Sequence, residues 1–94
     1  MKYFTKITSQ GYSAKNKLQE SAKELMKGRD QMLLEDTEVD KWIADISNRI
    51  KALNDYFKRC SPLKYSFESA YNGTDYTFNC NEVFTITLYK VNNS

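Results

Sequence analysis

The sequence predicts an α+β fold in which an N-terminal strand is followed by a two-helix hairpin and a C-terminal three-stranded antiparallel meander. Apolar residues recur at alternating spacings of four and three between Val39 and Phe57, which is the pattern of a helix that buries one face. Beyond Pro62 the apolar period changes to two, which is typical of strands. The length of 94 residues is that of one domain, expected over residues 1–94.

The N-terminal third predicts a strand and then a helix. Residues 1–8 alternate in the manner of a short strand, which Gly11 ends. A first helix is predicted over residues 13–27, with Ser13 as its N-cap and Gly28 as its C-terminal stop. Its buried stripe is expected to comprise Leu18, Ala22 and Leu25.

The second helix is predicted to be long and amphipathic, over residues 37–60. The connector before it, residues 29–36, is apolar enough to pack under the helices and is interpreted as a helical turn. Thr37 with Asp40 approximates a capping box at the start of the helix. Pro62 is expected to end it, because the residue before a proline is pushed out of the helical region.

Antiparallel strands are predicted over residues 65–91. Asn72-Gly73 suits a two-residue type I′ turn, which places Phe67 opposite Phe78. A three-residue loop, Cys80 to Glu82, is predicted before the last strand, since a two-residue turn would put that strand's apolar residues on the polar face. The N-terminal strand is expected either to join this sheet or to pair across a dimer.

The net charge of +2 gives the whole molecule no strong electrostatic field. The charge is nevertheless blocked along the chain, with +5 in residues 1–29, −5 in 30–48, +4 in 49–64 and −2 in 65–94. Two interpretations follow. The blocks neutralise one another within the fold or across a dimer, which we favour, or a basic block contacts RNA or an acidic protein.

No segment approaches the ~20 apolar residues of a membrane span, and the first residues lack the apolar core of a signal peptide. A cytoplasmic protein with no membrane partner is therefore expected. Cys60 and Cys80 are then expected to be free thiols, although the two could approach one another. Asn72-Gly73-Thr74 matches a glycosylation acceptor but is interpreted as a turn.

The sequence offers little for catalysis, and we expect a non-enzymatic protein without cofactor or metal. There is no histidine, so the usual neutral-pH base is absent. The three glycines are isolated from one another, which excludes a glycine-rich phosphate loop. The remaining candidates are the carboxylate pairs Glu35 with Asp36 and Glu38 with Asp45, and acids near a helix start are usually capping residues.

A protein-binding role is better supported, and the predicted partner-binding residues are Trp42, Arg49 and Tyr56. They recur at a spacing of seven, beside the apolar residues that recur between Val39 and Phe57. Trp, Arg and Tyr are the residue types that most often anchor protein interfaces. In the other interpretation, Trp42 and Tyr56 flank the core while Arg49 extends to solvent.

RNA binding is the alternative from another class, and a structural subunit of an assembly is a further one. Eight basic residues could contact a phosphate backbone; they are Lys15, Lys17, Lys23, Lys27, Arg29, Lys51, Lys58 and Arg59. Glu20 and Glu24 interrupt this basic surface on the first helix. The predicted polar face of the hairpin also lacks the stacking aromatics of a sheet that reads single-stranded RNA.

Composition suggests the kind of genome that encodes the chain. Eleven lysines against three arginines, with many Asn and Tyr, indicate an AT-rich coding sequence. The expected function is that of a small protein-binding regulator encoded by a virus, such as a phage, that masks or inhibits a host macromolecule such as a defence component. The expected partner is a host or cellular protein. The regulator is expected to act in the host cytoplasm and to form a homodimer.

Overall fold

A computed structural model describes residues 2–9, 14–69, 75–80 and 83–91. Seven elements lie in these ranges: β1 (Lys2–Ser9), α1 (Lys17–Leu25), β2 (Leu33–Glu35), α2 (Asp36–Tyr56), β3 (Tyr65–Ser69), β4 (Tyr76–Cys80) and β5 (Phe84–Val91). The strands form one antiparallel sheet in the order β2-β1-β5-β4-β3. The predicted α+β class is confirmed, but the sheet has five strands rather than a separate meander of three.

The N-terminal strand joins the sheet of its own chain. β1 pairs with β5 along its whole length, from Lys2 opposite Val91 to Ser9 opposite Phe84. Of the two expectations for this strand, the first is therefore correct. The first and last strands in the sequence lie side by side in the middle of the sheet.

The connector before α2 contains a strand, and the interpretation of residues 29–36 as a helical turn was wrong. Leu33–Glu35 forms β2, which pairs with β1 at one edge of the sheet. Thr5 holds the chain just before it. Its backbone amide donates to the Met32 carbonyl at 2.9 Å, and its backbone carbonyl accepts from the Gln31 amide at 2.8 Å. The segment is thus shaped by a contact distant in sequence, which no local pattern could show.

The first helix is shorter than predicted. It begins at Lys17 with Asn16 as its N-cap, and the Asn16 side chain accepts a hydrogen bond from the Gln19 amide at 2.9 Å. The predicted N-cap, Ser13, lies outside the described residues. The helix ends at Leu25, and a turn leads to Gly28 at a positive φ of 79°, a conformation that glycine adopts without steric cost.

The second helix is displaced at both ends from its predicted bounds of 37–60. Its N-cap is Glu35, with no side-chain capping bond, so the predicted capping role of Thr37 was wrong. The helix ends at Tyr56, because Phe57 leaves the helical region at φ −103°, ψ 57°. Asn54 fixes the chain beyond this end, since its side chain bonds both the amide and the carbonyl of Leu63, at 2.8 and 3.0 Å.

The two hairpins follow the predicted faces. Phe67 pairs with Phe78 as predicted, while the Asn72-Gly73 turn lies outside the described residues. In the second hairpin, Phe78 pairs with Ile86, and three residues separate Cys80 from Phe84. The loop has the predicted length but begins one residue later, at position 81, which shifts the register by two. A shift of two keeps every side chain on its face.

The core lies between the helices and one face of the sheet. Buried residues of both helices, such as Leu18 and Ile46, form one cluster with Phe78, Ile86 and Leu88 of the sheet. Along β5 burial alternates from residue to residue as far as Leu88. Both helices therefore cover the same face, and the other face is open.

Candidate protein-interaction surface

The open face of the sheet carries the side chains that alternate with the core. Register places the directly opposed residues of neighbouring strands on the same face. Phe4 lies opposite Leu33 on β2 and opposite Tyr89 on β5. These three residues form one row across β2, β1 and β5, which we call the apolar row. Neither helix covers it, because both pack on the other face.

The apolar row is accessible to solvent. Leu33 is 59% exposed and Tyr89 is 42% exposed, while Phe4 between them is half-buried. Leucine and tyrosine side chains at such exposure bury substantial apolar area when a partner covers them. Tyrosine also keeps a hydroxyl for a hydrogen bond, which makes it frequent at interfaces. A contiguous exposed apolar row on a sheet face is a candidate docking surface.

The surroundings of the apolar row are polar and electrically balanced. The open-face positions of the strands carry two bases, Lys2 and Lys6, and two acids, Glu35 and Glu68. Lys2 Nζ lies 3.7 Å from Glu35 Oε1 at the end of the row. Polar neutral residues occupy much of the rest of the face, where Thr85 donates to Asn79 Oδ1 at 3.2 Å. An apolar centre with a polar rim is the usual anatomy of a protein interface.

The predicted partner-binding residues do not share one surface. Trp42 lies in the core and is 9% exposed, whereas Tyr56 is 81% exposed. Arg49 is exposed and donates through Nε to both oxygens of Asp45, at 3.1 and 3.0 Å. A spacing of seven in a straight helix drifts round the axis by ~20° per step, which separates the two ends of this series. A binding role for Arg49 and Tyr56 stays a prediction.

Asp45 joins the end of α1 to α2. It accepts from Arg49 on its own helix and from Arg29 Nη2 at 3.1 Å. Arg29 also donates through Nε to the Leu25 carbonyl at 3.1 Å, which fixes the last turn of α1. The hydrogen bonds from Arg49 and then the attraction of both guanidinium groups lower the pKa of the Asp45 carboxyl. Asp45 is therefore a structural anion and is poorly suited to act as a general acid.

Ion pairs occupy several of the basic residues predicted to contact RNA. Lys17 lies 3.4 Å from Glu20 and Lys27 lies 2.9 Å from Glu24. Arg29 is bound to Asp45. Of these three pairs, Arg29 with Asp45 joins the basic block of residues 1–29 to the acidic block of residues 30–48, whereas the other two lie within the basic block. Lys51, Lys58 and Arg59 remain exposed at the C-terminal half of α2 and just beyond it.

The described residues include two thiols and no group of side chains that could hold a metal ion. Cys60 and Cys80 are both free thiols. Burial raises the pKa of the Cys80 thiol to about 12, so it stays protonated and is a weak nucleophile. Within the described ranges no three His, Cys, Asp or Glu side chains are placed to hold a metal ion. Among the same residues, no helix combines the length and apolarity needed to cross a bilayer.

Sequence reasoning missed the apolar row for a physical reason. Leu33 was assigned to a helical turn, so no sheet position was expected for it. Phe4 and Tyr89 are adjacent only because β1 joins the sheet beside β5. The alternation of Phe4 with Tyr3 and Thr5 was the available signal, since it marks Phe4 as facing away from a core that contains Tyr3.

The open face follows from the strand order and register of this chain. Comparison with models of known protein families, with curated proteins and with solved structures finds no match.

Proposed function

We propose that the protein is a non-enzymatic binding module that holds another protein against the open face of its sheet. The apolar row of Leu33, Phe4 and Tyr89 supports this proposal, because it is exposed on a face that neither helix covers. The partner would present apolar side chains to the row. A carboxylate on the partner would suit Lys6, which is exposed and forms no ion pair within the described chain.

The balance of charge on the open face favours a protein over a nucleic acid. Nucleic-acid surfaces gain most of their affinity from clustered Lys and Arg. Here two lysines are offset by two glutamates along the strands, and Lys2 is already engaged by Glu35. Leu33 is also the wrong kind of side chain for stacking on a base, whereas it suits an apolar protein pocket.

A second candidate, binding of single-stranded RNA, has one observation in its favour. Phe4 and Tyr89 lie directly opposite one another on neighbouring strands in the middle of the sheet. Paired aromatics on an open sheet face are the platform on which some RNA-binding domains stack bases. This candidate uses the sheet rather than the eight basic residues predicted from the sequence.

The mode of action that we propose is masking. A face that only binds acts on its partner by covering a surface that the partner needs elsewhere. The lysine-rich, arginine-poor composition supports an origin in an AT-rich genome, such as that of a virus. We therefore propose a host protein in the cytoplasm as the partner, with a defence component as one such target.

The first experiment isolates the protein gently from cells and identifies its bound species by native mass spectrometry. Wild type is compared with Leu33→Ser/Tyr89→Ser, which removes the exposed apolar groups at both ends of the row. Tyr56→Ser is the matched control, because Tyr56 is more exposed than either residue but lies on α2. Circular dichroism and thermal unfolding establish that each variant folds.

We expect the double variant to lose a defined protein partner that Tyr56→Ser retains. The reverse result would contradict the open-face proposal and favour the α2 residues predicted from the sequence. A bound species whose mass disappears on nuclease treatment, and whose binding falls steeply with salt, would favour RNA instead.

A further inference from the structure

The two edges of the sheet differ in how well they are protected from pairing with another strand. β2 spans three residues, and α2 begins directly after it at Asp36. β3 spans five residues, contains neither Lys nor Pro, and forms the opposite edge. In the described part of the chain no strand pairs with its outer side. β3 thus offers unpaired backbone donors and acceptors, which are a template for another strand.

The sequence at this edge is complementary to itself in the antiparallel direction. When two copies are aligned about a two-fold axis through Ser66, Lys64 of each copy lies opposite Glu68 of the other. Lys64 and Glu68 are exposed, and among the described residues neither forms an ion pair. Opposite charges at directly opposed positions stabilise an antiparallel pair, and like charges destabilise it.

The same alignment also matches the aromatic residues of β3. Tyr65 stacks on Phe78 of its own chain at a centroid distance of 5.6 Å, and Phe67 stacks on Tyr76 at 5.4 Å. Phe67 is nevertheless 38% exposed. Pairing about Ser66 sets Tyr65 of one copy opposite Phe67 of the other, twice. Both aromatic stacks then continue across the axis, where cross-strand aromatic pairs add stability.

We propose that the chain forms a two-fold symmetric homodimer through β3, with Ser66 on the axis. The dimer joins two sheets edge to edge into one continuous sheet. The apolar row spans β2, β1 and β5, away from the β3 edge. It therefore stays accessible in both copies. The homodimer therefore does not depend on the proposed binding function, and it would give that function two equivalent sites.

Charge reversal tests the dimer and its register together. Sedimentation velocity over a concentration series is compared for wild type, Lys64→Glu, Glu68→Lys and the double variant Lys64→Glu/Glu68→Lys. Each single reversal creates two like-charge contacts across the axis, so we expect dimerisation to weaken on the order of tenfold or more. The double variant restores both opposite-charge contacts and should dimerise like wild type.

Mixing the two single variants is the most specific form of this test. In a mixed dimer, the acidic pair of Lys64→Glu faces the basic pair of Glu68→Lys, so both contacts are again of opposite charge. We expect the mixture to form dimers at concentrations where each variant alone is monomeric. Lys51→Glu and Asp55→Lys, at exposed positions of α2, are the matched controls and should leave dimerisation unchanged.

A covalent test locates the axis without relying on charge. In a Cys60→Ser background, Ser66→Cys places one thiol of each copy beside its symmetry mate, within the Cα separation of ~4.4–6.8 Å that a disulfide needs. We expect rapid intermolecular cross-linking under mild oxidation, and much slower cross-linking for Ser61→Cys. A monomeric wild type at all soluble concentrations would overturn the proposal. So would single reversals that dimerise like wild type, or equal cross-linking at positions 61 and 66.

Discussion

At the scale of single residues, the Thr5 hydroxyl bonds two backbone groups of the segment before β2. Thr5 is fully buried, and its Oγ1 donates to the Arg29 carbonyl at 2.8 Å and accepts from the Met32 amide at 2.9 Å. Both partners lie in the segment that leads into β2. The hydroxyl thus fixes the edge strand that carries Leu33, and with it one end of the apolar row.

Replacing Thr5 by the isosteric valine should destabilise the protein although it leaves no cavity. The substitution removes both hydrogen bonds and leaves a carbonyl and an amide without their partner, so we expect a loss of roughly 2 kcal/mol or more in the free energy of unfolding. Thr5→Ser keeps the hydroxyl and should lose only about 1 kcal/mol for the methyl group. Urea unfolding measures both, and an equal loss in the two variants would contradict a role for the hydroxyl.

Trp42 is the residue at which the two interpretations of Trp42, Arg49 and Tyr56 give opposite outcomes. Because Trp42 belongs to the buried cluster, Trp42→Ala should cost about 3–5 kcal/mol, enough to unfold much of a small domain. Tyr56→Ala removes an exposed ring and should change stability by less than about 0.5 kcal/mol. Circular dichroism during urea titration separates the two, and a fully stable Trp42→Ala would contradict the core assignment.

At the scale of elements, the sequence predicts interiors better than ends. The seam from Val39 to Ile50 is buried as its period predicts, and the pairing of Phe67 with Phe78 follows from the Asn72-Gly73 signal. The start of α1 depends on a local cap, Asn16, but α2 begins where β2 ends, and β2 is held by its pairing with β1. β2 was not predicted, because three residues are too few to show the alternating period of a strand.

The Asn54 side chain fixes the segment that follows the end of α2. Its amide pairs with both backbone groups of the buried Leu63, as a neighbouring strand would. Asn54→Ala should leave both groups unpaired and cost roughly 1–3 kcal/mol for each that water cannot reach. We expect lower stability and faster hydrogen exchange at the Leu63 amide. Asn48→Ala, at an exposed position of the same helix, should change neither, and unchanged exchange in Asn54→Ala would contradict this role of Asn54.

At the scale of the whole molecule, the fold was more predictable than the surface. The α+β class, the faces of both hairpins and most of the helical core follow from periods of 3.6 and 2. The apolar row depends on which strand lies beside which. It requires β1 to pair with β5, although these two strands lie at opposite ends of the sequence. Local patterns contain no information about that adjacency, so residue types alone favoured Trp42 as a binding residue instead.

The dependence of the free energy of unfolding on alkaline pH tests whether water is excluded from the core around Cys80. The Cys80 thiol ionises near its ordinary pKa of 9.0 in the unfolded chain and only at about 12 in the folded protein, because of burial. Desolvation, and then the hydrogen bond with Tyr76, likewise raise the pKa of Tyr3. Between pH 9 and 12 the unfolded state therefore binds fewer protons than the folded state, so stability should fall as pH rises through this window.

Cys80→Ala isolates the contribution of the thiol to this alkaline loss. The variant should be less stable than wild type at neutral pH, because the smaller side chain leaves a cavity. Its stability should nevertheless decline less steeply above pH 9, because one group that resists ionisation in the folded state is gone. Cys60→Ala is the matched control, since Cys60 is only half-buried. Equal alkaline slopes for wild type and Cys80→Ala would mean that water reaches the thiol, and that the sheet and helices do not seal this part of the core.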